Sequence, residues 1–154
     1  MNCNRLLVPV DFSEESAMAL EWAVRLALQE SKPTIYLLYV LPYVIDPTYL
    51  VGWTDDLVGL RMREAERDLM EWQTKIPKHI PSIALLRKGR VAEEIAHVCH
   101  EKAIDMVIMT TRERRGIERA IHPNASEKTV HAVRCPVLIL HLNSKTAPVP
   151  AETR

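Results

Sequence analysis

Apolar residues along this chain fall into two kinds of run, and the two kinds alternate. Short, nearly continuous runs lie at residues 5–10 (RLLVPV), 34–40 (TIYLLYV), 82–88 (SIALLRK), 104–111 (IDMVIMTT) and 136–142 (PVLILHL). They read as strands buried on both faces. Between them, apolar residues recur every three or four positions, the period of a helix. The first helix opens at Ser13, whose hydroxyl can cap it, and Glu14 and Glu15 suit the positive end of its dipole. Ala17, Leu20, Val24 and Ala27 carry it to about Gln29. The second shows one stripe of Val58, Met62, Ala65, Leu69, Trp72 and Ile76. The third follows Gly89 over residues 91–102, with Ala92, Ile95 and Cys99 inward. The fourth starts at Asn124, where NASE offers an asparagine cap and the glutamate of a capping box.

Five strands alternating with four helices imply a parallel sheet covered on both faces, joined by right-handed crossovers. The fold class is therefore α/β, in a single three-layer domain. Pro81 before the third strand places that strand at a sheet edge, where a missing donor is tolerated. The fourth strand is the most continuously apolar and belongs in the interior of the sheet. Residues 41–53 are irregular and carry Tyr43, Tyr49 and Trp53. They form either a partner surface or pocket lid, or a segment folded back over the core. Residues 143–154 have no core-forming pattern and read as a flexible tail, which leaves residues 1–142 as the domain.

Charge narrows the partners. Twenty basic and twenty acidic side chains give zero formal net charge. That disfavours nucleic acid or an anionic membrane as a partner for the whole surface. No apolar segment approaches the length of a membrane span, and the apolar run at the start stops at Asp11, too soon for a secretory signal. Cys3, Cys99 and Cys135 are separate in sequence and odd in number, with neither a disulfide framework nor a CxxC pattern. Cys135, ahead of a proline at a strand start, reads as structural. A cytoplasmic protein with reduced thiols is the expectation.

Candidate chemistry is sparse. Glu93, His97 and His100 share one face of the third helix and could supply zinc ligands, but no fourth ligand accompanies them, so a solvated face is the expected reading. His122, His131 and His141 form no cluster. The four glycines are far apart, and neither a GxSxG elbow nor a phosphate-binding Walker loop is present. No catalytic residue and no metal site is assigned. The distinctive stretch is TTRERRGIERAIHPNASEKTV at residues 110–130. A loop from a buried strand into a helix commonly holds phosphate, yet this one has one glycine, Gly116, and four arginines. Arg112, Arg114, Arg115 and Arg119 either grip an anion bidentately or stand as solvated charges paired with Glu113 and Glu118.

Three stretches together resemble the universal stress protein family: LLVPVDFSEES, KGRVAEEIAHVCHEKAIDMVIMTT and RRGIERAIHPNASEKTVHAVRCPVLIL. The resemblance spans most of residues 4–142 and is weakest over residues 41–78. It implies a sheet in the order 3-2-1-4-5, an adenine-nucleotide α-hydrolase-like arrangement, with a ligand beyond the carboxyl ends of strands 1 and 4. Members similar to this chain that bind ATP share a loop motif of glycine, two residues, glycine, nine residues, glycine, then serine or threonine. Those four positions fall here on Thr110, Glu113, Pro123 and Asn124, and none matches. Thr110 adds a side chain where backbone should approach phosphate, Glu113 adds negative charge, and Pro123 removes a donor. Each lost donor to a charged phosphate weakens binding by roughly 1.5–3 kcal/mol.

By the same resemblance Asp11 would contact the nucleoside end of a bound ATP, and the backbone at Val40 would face the adenine. Read from the residues alone, Asp11 is a strand-end aspartate beside a helix cap and Val40 is core. The nucleotide or anion site thus comprises Asp11, Val40, Thr110, Thr111, Arg112, Arg115 and Asn124. The resemblance further implies a homodimer through the last strand, by way of Val137 and Ile139. The leading expectation is a non-enzymatic stress-response dimer with an eroded ATP-binding loop, taking no cofactor and meeting protein partners not yet defined. The alternative is a sensor that holds ATP or AMP through Asp11 and the arginine-rich loop. A phosphate-ester hydrolase is a distant third, because no nucleophile and base are paired by any motif.

Overall fold

A computed structural model describes residues 3–42, 55–111 and 125–141. The described elements are β1 (Arg5–Pro9), α1 (Glu14–Ala27), β2 (Thr34–Pro42), α2 (Asp55–Gln73), β3 (Ser82–Gly89), α3 (Val91–Glu101), β4 (Met106–Thr111), α4 (Ala125–Ala132) and β5 (Val137–His141). The strands form one parallel sheet in the order β3-β2-β1-β4-β5. This is the expected three-layer α/β fold, with β3 and β5 at the edges and β1 and β4 inside.

Strict alternation within the strands builds the two layers, because successive side chains leave opposite faces of a sheet. Leu6, Val8, Ile35, Leu37 and Ile108 join α1 and α2 in one core. Leu7, Tyr36, Leu38, Val107 and Met109 join Ile95, Val98 and Cys99 of α3 in the other. Burial on both faces is why these strands read as unbroken apolar runs rather than alternating ones. At the β3 edge the Pro81 carbonyl accepts from the Ile35 N–H at 2.9 Å, and the donor that proline lacks is not needed there.

The second half of the α2 stripe behaves as its sequence predicts, with Ala65, Leu69, Trp72 and, just beyond the helix, Ile76 buried, whereas Val58 and Met62 in the first half are only half-buried. The α1 stripe is rotated from its expectation. Ser16, Ala19, Leu20, Ala23 and Ala27 are buried, and Ala17 and Val24 only flank them. Small residues let α1 lie close against the sheet, and the Ser16 hydroxyl is satisfied locally. In α3 the buried residues are Ile95, Val98 and Cys99, with Ala92 at the margin.

Strand boundaries also move. Residues 104 and 105 do not belong to β4, which begins at Met106. They are taken up by the end of α3, where Ala103 adopts φ 49°. The Ala103 N–H reaches the His100 carbonyl at 3.3 Å and the Ile104 N–H reaches the Cys99 carbonyl at 2.9 Å. This is a Schellman closure with alanine in the place that usually takes glycine. β1 stops at Pro9, one residue short of the expectation, and β2 and β3 run on together to the Pro42–Gly89 pair. Gly89 has φ +156°, and a Cβ there would lie 2.9 Å from Glu94 Oε1, so the turn into α3 needs glycine.

Candidate functional site

The topology reverses between β1 and β4, and a parallel sheet leaves a crevice beyond its carboxyl ends at such a point. Here that crevice is a cleft of about 360 Å³. Its floor comes from the ends of β1, β2 and β4: Val10 and Asp11, Val40, and Met109 with Thr110. Ser16, Val91 and Ala125 also line it. The first turns of α1, α3 and α4 therefore open onto one space. Helix starts present N–H groups with no intrahelical partner and carry the positive end of the dipole, so the cleft favours a ligand with negative charge. At α3 this is sharpened, because Arg90 makes no side-chain cap.

Asp11 sits at the mouth, immediately after β1. Its Oδ1 accepts from the Ser13 N–H at 3.1 Å, from the Ser16 hydroxyl at 2.9 Å and from the Ser13 hydroxyl. The Ser13 hydroxyl in turn caps α1 by accepting from the Ser16 N–H at 3.2 Å. Burial alone would raise the Asp11 carboxyl, but the bonds from Ser13 and Ser16 outweigh it and hold the group below its ordinary 3.8. A carboxylate at neutral pH thus both braces the α1 cap and lines the cleft. The two readings of Asp11, cap and site, describe one residue.

Between Asp11 and Ser13 the chain turns through Phe12, at φ 63°, a region that costs a bulky residue energy. Phe12 is held there by stacking on Tyr39, with centroids 4.9 Å apart, and by an edge contact to Trp72 at 5.6 Å. Tyr39 is itself a wall of the cleft. Burial lifts the Tyr39 hydroxyl above its ordinary value; the positive charge of Arg61 opposes this, and Asp11 and Asp68 add to it. An aromatic pair thereby fixes the direction in which Asp11 leaves the sheet.

Of the residues singled out from sequence, Asp11, Val40 and Thr110 converge on the cleft. Thr111, the last residue of β4, is buried and is not part of that lining. Arg112, Arg115 and Asn124 lie outside the described residues, as do Glu113, Arg114, Gly116, Arg119, Pro123, the segment with Tyr43, Tyr49 and Trp53, and the tail from residue 143. Ser16, Tyr39 and Met109 were not anticipated. Ser16 could have been found from its place three residues after the cap, and the others from their adjacency to Val40 and Thr110. Glu93, His97 and His100 are all exposed, as a solvated face requires. Val137 and Ile139 lie on β5, which among the described residues pairs with β4 alone. No helix among the described residues is long and apolar enough to cross a membrane.

A parallel sheet in the order β3-β2-β1-β4-β5 with helices on both faces and a cleft at the switch point defines the doubly wound, three-layer α/β class. The sequence model of the universal stress protein family matches residues 2–141, and the chain belongs to that family. It is 25% identical over 150 residues to the universal stress protein MJ0531 of Methanocaldococcus jannaschii, covering 88% of this chain and 81% of that one. It is 27% identical over 146 residues to the universal stress protein YxiE of Bacillus subtilis, covering 89% and 98%. Among solved structures, the hypothetical protein MJ0577 superposes with a TM-score of 0.78 at 17% identity, over 94% of this chain and all of that one. A universal stress protein in complex with cAMP (TM-score 0.60, 13% identity, 92% and 98% covered) shares the fold. So does a family member from Arabidopsis thaliana with AMP bound (TM-score 0.55, 17% identity, 92% and 93% covered).

Proposed function

We propose that this chain is a non-enzymatic universal stress protein whose cleft takes an adenosine monophosphate-type ligand in preference to ATP. The observation that carries this reading is the convergence of Asp11, Val40 and Thr110 on one cleft fed by three helix starts. An ionised aspartate at a strand end is suited to accept hydrogen bonds from ribose hydroxyls. A single phosphate needs only the N–H groups of a helix start. A triphosphate needs the longer loop, and there Glu113 and Pro123 replace two glycines of the family's ATP motif. The AMP and cAMP found in two structural neighbours support a monophosphate. In this reading Arg112, Arg115 and Asn124 complete the site around the phosphate, while Thr111, buried behind the lining, supports Thr110 rather than touching the ligand. The protein acts in a stress response as a homodimer paired through β5, with Val137 and Ile139 at the contact.

Isothermal titration of the nucleotide-free protein with AMP, and separately with ATP and magnesium, tests it. AMP should bind saturably and more weakly at high salt, ATP should bind no tighter, and neither nucleotide should be hydrolysed. Asp11→Asn should weaken AMP about tenfold or more, the scale of a hydrogen bond to a charged group. No heat with AMP up to millimolar concentration would retire the cleft as a nucleotide site.

A further inference from the structure

At the opposite end of the sheet from the cleft, a second cavity of about 550 Å³ lies between the C-terminal half of α3 and the turn that leads from α4 into β5. Cys99, His100, Arg134 and Cys135 are in its lining. Two of the three cysteines thus meet there, 36 residues apart in sequence, with their Sγ atoms 3.8 Å apart. The separation in sequence that made them look unrelated is undone by the crossover from β4 through α4 to β5. A disulfide needs about 2 Å between sulfurs, so closing the pair requires a further approach of about 2 Å, the scale of a side-chain rotation or a small backbone shift.

The two thiols are not equivalent. Cys99 is buried in the core between α3 and the sheet. Burial pushes its thiol up to about 12, and the neighbouring Cys135 adds to the rise. Cys135 is half-buried on the turn before β5 and is the member that solvent reaches. Cys3 packs on the other face of the sheet, against the α1–α2 core, so the sheet separates it from the pair.

We infer that Cys99 and Cys135 form a peroxide-reactive dithiol, in which Cys135 is the attacking thiolate and Cys99 the resolving thiol. Cys135 gives up its proton and its sulfur attacks one peroxide oxygen. The O–O bond breaks, the far oxygen leaves as hydroxide and takes that proton to become water, and Cys135 is left as a sulfenic acid. The Cys99 sulfur then attacks the Cys135 sulfur. The S–O bond breaks, and the hydroxyl departs as water with the Cys99 proton. Two thiols and one hydrogen peroxide give one disulfide and two waters. The closed bond ties the end of α3 to the start of β5 and is reversed by an external dithiol.

The test uses the whole folded protein, reduced and then exposed to stoichiometric hydrogen peroxide. It is next denatured, alkylated with N-ethylmaleimide and weighed intact. The expected product has lost two hydrogens, takes one alkyl group at Cys3, and yields a tryptic cross-link between residues 91–102 and 135–145. Dithiothreitol should restore three alkylatable thiols. Cys99→Ser should stop at the sulfenic acid, trapped on Cys135 by dimedone. Three free thiols after treatment, a link involving Cys3, only intermolecular disulfides, or over-oxidation without a cross-link would each overturn the inference. If Cys99→Ser fails to fold, the wild-type cross-link decides alone. The result is independent of whether the cleft binds a nucleotide.

Discussion

At the scale of single residues, Asp11 does the most. Its folded carboxyl lies below the ordinary value of 3.8, held by Ser13 and Ser16 against the cost of burial. A depressed carboxyl contributes stability above its unfolded value. As the pH falls through about 3.8 the unfolded chain takes up the proton first, so that contribution is lost progressively as the pH falls further, through the folded value. Urea midpoints of the wild type and Asp11→Ala should therefore be well separated at pH 6 and draw together as the pH falls below 3.8. A gap that stays constant across this range would mean the Ser13–Ser16 network does not depend on charge. The place of Asp11 was legible in sequence, since an acidic residue ends an apolar strand just before a serine cap. The bonds that hold it were not, because nothing in the SEES stretch marks Ser16 as the residue that turns its hydroxyl back to Asp11. Nor was the conformation of Phe12. Its positive φ is stabilised by Tyr39 and Trp72, which come from β2 and α2, and local sequence carries no trace of that contact.

At the scale of elements, periodicity succeeded where large side chains mark the buried face and slipped where alanines do. α2 announces its face through Leu69 and Trp72. α1 hides its own, because Ala19 and Ala23, both fully buried, are weaker signals than Val24 at the margin. The rotation has an energetic consequence. Ala23 is wholly buried in the core under α1, so Ala23→Leu should force α1 away from the sheet. Such overpacking costs typically 1–3 kcal/mol, and chemical denaturation should show a loss of that size. A loss under about 0.5 kcal/mol, the range of ordinary surface substitutions, would mean that α1 rides the sheet more loosely than its alanines imply. The same helix start braces Asp11, so a displaced α1 should also weaken AMP in titration. The rest of the cleft was legible only in part for a related reason. Strand ends can be read from composition, and Tyr39 and Met109 follow from their adjacency to Val40 and Thr110, but which strand ends meet around one cleft is set by the order and register of the strands, which no single segment encodes.

At the scale of the whole molecule, the sheet is closed on its faces but differs at its two edges. β3 is guarded on its outer side by Lys88 and by Arg87, which pairs with Glu101 of α3 at 2.8 Å. β5 carries no charge from Val137 to Leu140, and all four of those residues are half-exposed although they face both layers. Among the described residues no strand pairs with the outer side of β5, and such an edge flanked by half-covered apolar side chains is a template for another strand. A second copy of the same edge would satisfy it under two-fold symmetry, since each β5 would offer the other an identical surface. Sedimentation velocity at tens of micromolar should then give twice the 17.6 kDa chain mass. Ile139→Lys sets a charge at the centre of the edge and should shift the protein to monomer, with far-ultraviolet circular dichroism unchanged. A wild type that stays monomeric at these concentrations would end the dimer reading. It would also leave the β5 edge to a partner of another sequence, whose strand would have to match the same apolar row.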